Sequence, residues 1–228
     1  VVVKLTLVLT IFGVVLSTLH QSSLGALFMI APSKLHPLWY SNYLPVYFFI
    51  SSIFAGLSMV IFEGTLAHRF LHDKMDETHL AESRGVVLGF GKAAALVLAG
   101  YFFIKVIGIA ADHTWSYLAT GWGAWFMLEL VGFVALPAFI YAVGVREQSL
   151  GIIRFASLMT VLGVVLNRLN VSLIAFNYHL PAAERYFPSW MEIVTSLFIV
   201  TLGVVIYRFI STHMPILHEH PEYREEHA

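Results

Sequence analysis

Residues 85–111 have the sequence GVVLGFGKAAALVLAGYFFIKVIGIAA, an almost unbroken apolar run whose only charged residues are Lys92 and Lys105. A helix needs about 20 mostly apolar residues to cross a hydrocarbon core about 30 Å thick. This run is long enough to span a membrane with some tilt. The pattern therefore predicts a transmembrane helix.

Similar runs lie on both sides of it, separated by connectors that are polar or contain proline. The sequence predicts an all-α integral membrane bundle of about six transmembrane helices. We place the spans roughly at residues 2–30, 43–71, 85–111, 118–144, 150–177 and 188–212. A polar tail, residues 213–228, follows them.

The composition agrees with this class. Of the 228 residues, 58% are hydrophobic and 12% are charged, whereas soluble domains carry about 25% charge. The net charge of −1 leaves no basic footprint for nucleic acid. The chain has no Cys, so it can supply no thiolate ligand for an iron–sulfur cluster or zinc. We therefore exclude a soluble globular protein and a nucleic-acid-binding protein.

The beginning of the chain is unusual. Residues Val1 to Lys4 lack an initiator Met and run directly into the first apolar segment, without the cleavage site of a signal peptide. We expect the chain to begin inside a longer protein or to be processed.

Basic residues predict the orientation, since Lys and Arg near helix ends favour the cytoplasmic side. Only Lys34 and Arg185 lie in connectors on the side opposite the two ends of the chain. On the terminal side lie Lys4, Arg69, Lys74, Arg84, Arg146, Arg154, Arg208 and Arg224. We expect both ends of this segment to be cytoplasmic. The aromatic loops 31–42, 112–117 and 178–187 then face outward, either as an interfacial belt or as a docking surface.

Polar and ionisable residues inside the spans are costly and commonly functional. One group lies towards the outer ends of the predicted spans. It combines cations, a carboxylate, an imidazole and amides, which suits either structural pairing between helices or a polar pocket for a quinone. Quinone carbonyls accept hydrogen bonds, and quinone reduction takes up protons. Our predicted quinone-binding residues are His20, Gln21, Lys105, Asp112, Arg168 and Asn177.

A second group lies at or below the middle of the spans. Glu63, Lys92 and Glu129 would be expensive there unless paired, protonated or hydrated. We predict that they form a proton pathway, with a structural Glu63–Lys92 ion pair as the alternative.

Histidines give no convincing haem site. Only His20 among the 11 His lies clearly at membrane depth, so a pair of axial ligands on facing helices cannot be assembled. We expect no haem, iron–sulfur cluster or metal to be ligated by this chain.

Several motifs in order along the chain resemble the NrfD/polysulfide-reductase membrane-subunit family. They are His20-Gln21-Ser22-Ser23-Leu24-Gly25, His36-Pro37-Leu38-Trp39, Ile61-Phe62-Glu63-Gly64, Arg168-Leu169, Ser172-Leu173, Ala175-Phe176-Asn177, Tyr186-Phe187-Pro188, Trp190 and Glu192. Together they cover roughly residues 15–192. The resemblance is strongest to the branch serving Hyb-type nickel–iron hydrogenases and to the membrane subunit of the Dsr sulfur-metabolism complex.

The resemblance implies that the chain is the C-terminal part of a longer, haem-free subunit in a prokaryotic cytoplasmic membrane. Such a subunit passes electrons between menaquinone or another quinone and an iron–sulfur partner, which serves a peripheral catalytic subunit. No complete catalytic centre is expected on this chain. Two alternatives stay open: an ion or proton pathway subunit, and a plain membrane anchor without a quinone site.

Overall fold

The computed structural model describes residues 2–70, 77–181 and 184–213. In these residues the fold is helical, and the only β-pairing is an isolated antiparallel bridge between Leu35 and Phe176. The α-helices are α1 (Val2–Met29), α2 (Leu44–Phe70), α3 (Glu77–Ala111), α4 (Gly121–Met127), α5 (Leu136–Arg146), α6 (Leu150–Leu169) and α7 (Trp190–His213). A 3₁₀-helix covers Thr114–Ala119, and π-helices cover Leu128–Ala135 and Asn170–Ile174.

The described part of the chain has six helical segments long and apolar enough to cross a membrane. They are Leu5–Met29, Leu44–Ala67, Arg84–Ala111, Gly121–Arg146, Leu150–Ile174 and Trp190–Ile210. The fourth joins α4, a π-helix and α5, and the fifth joins α6 to the second π-helix. The predicted all-α membrane bundle is therefore confirmed, and the chain is a multi-pass membrane protein. Apart from His213, the last residue of α7, the predicted tail lies outside the described residues.

The chain divides into two units. The first comprises Val1–Thr65 and Arg84–Arg185. Its helices approach each other closely at glycine positions, because glycine has no side chain to separate them. A Cβ at Gly163 of α6 would lie 2.7 Å from the Cβ of Phe133. At Gly144 of α5 it would lie 2.8 Å from a side-chain carbon of Ile153. These two contacts hold α6 against the fourth span.

The loop after α1 belongs to the same unit and folds onto the end of the fifth span. The His36 N–H donates to the Ala175 carbonyl at 3.1 Å, and the Asn177 N–H donates to the Lys34 carbonyl at 2.6 Å. Asn177 adopts a left-handed conformation, with φ of 52°, which Asn tolerates better than most residues. These bonds fix the loop that carries Trp39, a fully buried side chain.

The second unit comprises Leu66–Ser83 and Tyr186–Ala228. Its helix α7 begins with a local cap, because Glu192 Oε2 accepts bonds from the Tyr186 hydroxyl at 2.8 Å and the Ser189 N–H at 2.7 Å. The same bond to Glu192 raises the pKa of Tyr186. The side chains from Trp190 to Phe209 are exposed within the chain, as expected for an apolar helix that meets lipid or another protein.

Candidate functional site

Glu129 is a buried carboxylate in the first π-helix, with 5% of its surface exposed. Its Oε2 accepts hydrogen bonds from the Trp39 indole at 2.8 Å and from the Asn170 amide at 2.5 Å. Its Oε1 accepts one from the Asn167 amide at 2.6 Å. All three partners donate, which suits a carboxylate that acts purely as an acceptor.

Two further donors orient these amides. Arg168 Nη1 donates to the Asn167 oxygen at 2.8 Å, and Trp125 Nε1 donates to the Asn170 oxygen at 3.0 Å. Each amide therefore turns its NH₂ group towards Glu129. We call these six residues the Glu129 network: Trp39, Trp125, Glu129, Asn167, Arg168 and Asn170. Its hydrogen bonds point in one direction, towards the carboxylate.

The backbone is irregular at the two positions that meet in this network. Glu129 lies in the π-helix Leu128–Ala135, and Asn170 begins the π-helix Asn170–Ile174. A π-turn carries an extra residue and rotates the side chains that follow it, and such turns are frequent at functional sites. Here the two irregular segments face each other through a hydrogen bond.

Two cations lie near the carboxylate without touching it. Lys105 and Arg168 both interact electrostatically with Glu129, although neither forms an ion pair with it. The Arg168 guanidinium lies 3.8 Å from the centre of the Phe48 ring, and its Nη2 donates to Ser51 Oγ at 2.7 Å. The site therefore combines one buried anion, Glu129, with two cations, Lys105 in the third span and Arg168 in the fifth span.

Lys105 has an aromatic environment. Its Nζ lies 4.4 Å from the centre of the Tyr47 ring, 5.9 Å from that of Tyr101 and 5.8 Å from that of Phe126. Only 5% of the residue is exposed. Among the described residues it has no hydrogen-bond acceptor, and its nearest contacts are the cation–π contacts with these rings.

A small cavity adjoins the network. Its volume is about 10 Å³, and it is lined by Ser51, Phe54, Tyr101, Glu129, Phe133, Val134, Gly163, Val164 and Asn167. A cavity of this size is at the lower limit for holding one water.

The structure brings together three of the predicted site residues: Lys105, Glu129 and Arg168. Asp112 is half-buried at the end of the third span and interacts electrostatically with Tyr47. Gln21 is half-buried on α1, one turn before Gly25, whose backbone approaches Leu44 of α2.

The remaining predicted residues lie apart from the Glu129 network. His20, Glu63 and Lys92 are exposed within the chain. Neither Glu63 nor Lys92 forms an ion pair with a described residue, so the alternative of a Glu63–Lys92 pair is not observed. Asn177 lies in the connector after the fifth span, where its backbone N–H donates to the Lys34 carbonyl. The roles of these residues in quinone binding or proton transfer stay predictions.

The grouping of Glu129 differs from the expectation. The sequence placed it with Glu63 and Lys92, whereas the structure places it with Arg168 and its flanking asparagines. Trp39, Trp125, Ser51 and Tyr101 were not predicted as site residues. The signal available for the asparagines was their position beside a charged residue in an apolar span.

His36 forms a second polar feature, outside the spans. Its buried ring is surrounded by Trp39, Tyr117, Trp122 and Tyr178, with ring centres 4.8–5.7 Å away. Nδ1 accepts from the Leu38 N–H at 3.2 Å, and burial lowers the pKa of His36. A neutral His36 therefore supports Trp39, the loop residue that donates to Glu129.

Comparison with known proteins gives consistent results. A protein of Nitratidesulfovibrio vulgaris (strain Hildenborough) is 70% identical over 227 residues, which is 100% of this chain and 58% of that protein. The "Probable Ni/Fe-hydrogenase 2 b-type cytochrome subunit" of Escherichia coli K12 is 27% identical over 208 residues, 90% of this chain and 51% of that protein. The chain thus spans little more than half the length of these curated relatives. No solved structure matches it.

The comparison with family models identifies the family. A sequence model described as "Polysulphide reductase, NrfD" matches residues 1–182, which include the complete Glu129 network. On this evidence the chain belongs to the NrfD family.

Proposed function

We propose that the chain is part of a haem-free, quinone-binding membrane subunit of a multisubunit redox complex. This subunit passes electrons between the quinone pool, menaquinone or another quinone, and an iron–sulfur partner subunit. The name of the E. coli relative, a probable subunit of a nickel–iron hydrogenase, supports a complex of this kind. We further propose a prokaryotic cytoplasmic membrane, with both ends of this segment facing the cytoplasm.

The observation that carries the proposal is the ammonium group of Lys105. It lacks a hydrogen-bond acceptor among the described residues. In that part of the chain, every side-chain nitrogen or oxygen that is completely enclosed by protein has a hydrogen-bond partner. Lys105 Nζ therefore reaches open space. A buried ammonium needs an acceptor, and a quinone carbonyl can supply one.

The remaining chemistry suits the same ligand. A bound quinone would supply a carrier of two electrons and two protons with two acceptor oxygens. Lys105 would donate to a carbonyl, while Tyr47, Tyr101 and Phe126 offer ring faces and edges around the ammonium. Arg168 donates one N–H to Asn167 and one to Ser51, and a guanidinium has five N–H donors in total.

The cavity beside Glu129 has a different part in the proposal. At about 10 Å³ it is far smaller than a quinone head group, and Lys105 does not line it. We therefore place the quinone on the Lys105 side of the network, with Glu129 fixing the positions of the donors and balancing their charge.

The haem-free part of the proposal rests on histidine placement. Among the six candidate spans only Leu5–Met29 contains a histidine, His20. The purified full-length protein should therefore lack the absorption bands of haem b, and their presence at one haem per chain would contradict this part.

A comparison of two lysines tests the quinone assignment. In the full-length protein with its partner subunits, we expect Lys105→Met to weaken binding of a quinone analogue about 10- to 100-fold. This is the effect of losing one hydrogen bond to a charged group. Lys92→Met on the same helix is the matched control, because Lys92 is exposed.

The controls distinguish the alternatives. If the Lys105→Met complex assembles and reduces quinone with parental kinetics, Lys105 does not bind the quinone. If the parent complex binds no quinone analogue at all, the chain is an anchor or an ion pathway subunit. A pH change inside sealed vesicles during turnover would favour the proton pathway as an additional function.

A further inference from the structure

The cavity next to Glu129 is lined by both polar and apolar side chains. Ser51, Tyr101, Glu129 and Asn167 supply polar groups around a volume of about 10 Å³. A space of this size holds about one water, provided that the water finds two to four polar partners. The question is therefore whether any of these polar groups needs a partner.

Tyr101 supplies one group that does. Only 3% of the residue is exposed, and its hydroxyl has no hydrogen-bond partner among the described residues. Every completely enclosed side-chain oxygen in that part of the chain has a hydrogen-bond partner. Because the Tyr101 hydroxyl has none, it is not completely enclosed by protein atoms. Tyr101 lines the cavity and interacts electrostatically with Glu129, so we infer that the missing partner of its hydroxyl lies in this cavity.

Glu129 supplies an acceptor. A carboxylate has about four lone-pair sites on its two oxygens. Oε2 uses both of its sites, for Trp39 and Asn170, whereas Oε1 accepts only from Asn167. One site on Oε1 therefore stays available on a residue that lines the cavity.

Ser51 supplies a second acceptor. Its hydroxyl donates to the Phe48 carbonyl at 3.0 Å and accepts from Arg168 Nη2 at 2.7 Å. A hydroxyl oxygen has two lone pairs, so one remains.

We propose that the cavity is a binding site for one ordered water, which accepts from the Tyr101 hydroxyl and donates to Glu129 Oε1 and to Ser51 Oγ. With this water the Tyr101 hydroxyl, the remaining site on Glu129 Oε1 and the remaining lone pair of Ser51 Oγ each gain a partner. The site is a property of the folded chain and does not depend on quinone binding.

The water has a chemical consequence for Glu129. Its direct partners are an indole and two amides, whose N–H groups do not give up protons near neutral pH. Among the described residues, the water is then the one neighbour through which a proton can reach or leave the carboxylate. It also connects that carboxylate to a phenol, Tyr101.

The test is an experimental structure of the full-length protein at a resolution that shows ordered water. We expect one density peak within about 3.2 Å of both Tyr101 Oη and Glu129 Oε1. In Val164→Ile the added methylene enters the cavity and the peak should disappear. Val165→Ile is the control, because Val165 is 52% exposed, and it should keep the peak. A cavity without a peak in the parent structure overturns the proposal.

A second measurement uses the sign of a stability change. If the Tyr101 hydroxyl is paired with water, Tyr101→Phe should lower the melting temperature by about 2–6 °C, from the loss of one hydrogen bond. If the hydroxyl is unpaired, the same change should leave the melting temperature unchanged or raise it, which also overturns the proposal. Tyr207→Phe, at a tyrosine that is 43% exposed, is the control.

Discussion

The direction of the Glu129 network makes Glu129→Gln an informative substitution, because it preserves size while replacing one acceptor oxygen by a donor NH₂. If the NH₂ group faces Trp39 and Asn170, two donor–donor contacts arise. If it faces Asn167, one arises. Asn167 cannot relieve it by turning, because its oxygen already accepts from Arg168.

The cost follows from the better of these two orientations. One hydrogen bond to a charged group is lost, at about 1.5–3 kcal/mol, and two others become neutral bonds, each weaker by about 1 kcal/mol. Polar contacts between membrane helices are worth less than this on average, about 0.6 kcal/mol. We therefore expect about 3 kcal/mol of destabilisation, which lowers the melting temperature of a chain of this size by about 6–12 °C.

Tryptophan fluorescence during heating of the detergent-solubilised protein measures this shift, since the chain has five Trp. Glu63→Gln is the matched control: it makes the same chemical change at an exposed residue without an ion pair, and we expect it to melt with the parent. If Glu129→Gln also melts within about 1 °C of the parent, the carboxylate is not the acceptor that organises this site.

Three further predictions concern the loops and the helix packing. A single Cys at His179, in a chain that has none, should react with an impermeant maleimide in intact cells, and reaction only after permeabilisation would reverse the orientation. Burial lowers the pKa of His36, so its stabilising contribution is present above about pH 6.5 and is lost as the pH falls through its lower folded-state pKa. The melting temperatures of the parent and His36→Gln should therefore converge between about pH 8 and pH 5, and a constant difference would contradict this. Gly108→Ala places a Cβ against the Tyr47 hydroxyl and should cost about 1–3 kcal/mol in an unfolding assay, whereas Gly100→Ala, which meets open space, should not destabilise.

The sequence was sufficient for the fold class because the length and apolarity of a span are local properties. The same run that predicts a helix at 85–111 forms the third span. Local properties also identified Arg168, because a charged residue stands out within an apolar run, and its flanking asparagines carry a similar signal. Local properties do not give the rotation of a helix that is apolar on all sides. Lys92 and Glu63 are exposed within the described part of the chain, and their role in proton transfer stays a prediction.

The partners of Glu129 could not be predicted for a different reason. A regular α-helix from Gly121 to Arg146 would rotate by about 100° per residue throughout. The π-helix Leu128–Ala135, which contains Glu129, departs from this regularity. Nothing in its composition signals a π-turn, and its stability depends on what lies opposite it. Trp39 was also beyond prediction as a partner, because 90 residues separate it from Glu129.

The irregular backbone and the buried charge explain each other. A π-helix is rare and weaker than a regular α-helix, and a carboxylate inside a membrane needs donors that a regular apolar span does not provide. The two π-helices bring Glu129 and Asn170 within hydrogen-bond distance, so the bonds to the anion stabilise the same turns that aim it. The loop after α1 is part of this arrangement, because it carries Trp39, which donates to Glu129, and is joined to the end of the fifth span by the bridge between Leu35 and Phe176. The loop, the fourth span and the fifth span therefore form one polar assembly. A substitution at His36 or Asn177 should alter the hydrogen bonds that Glu129 accepts.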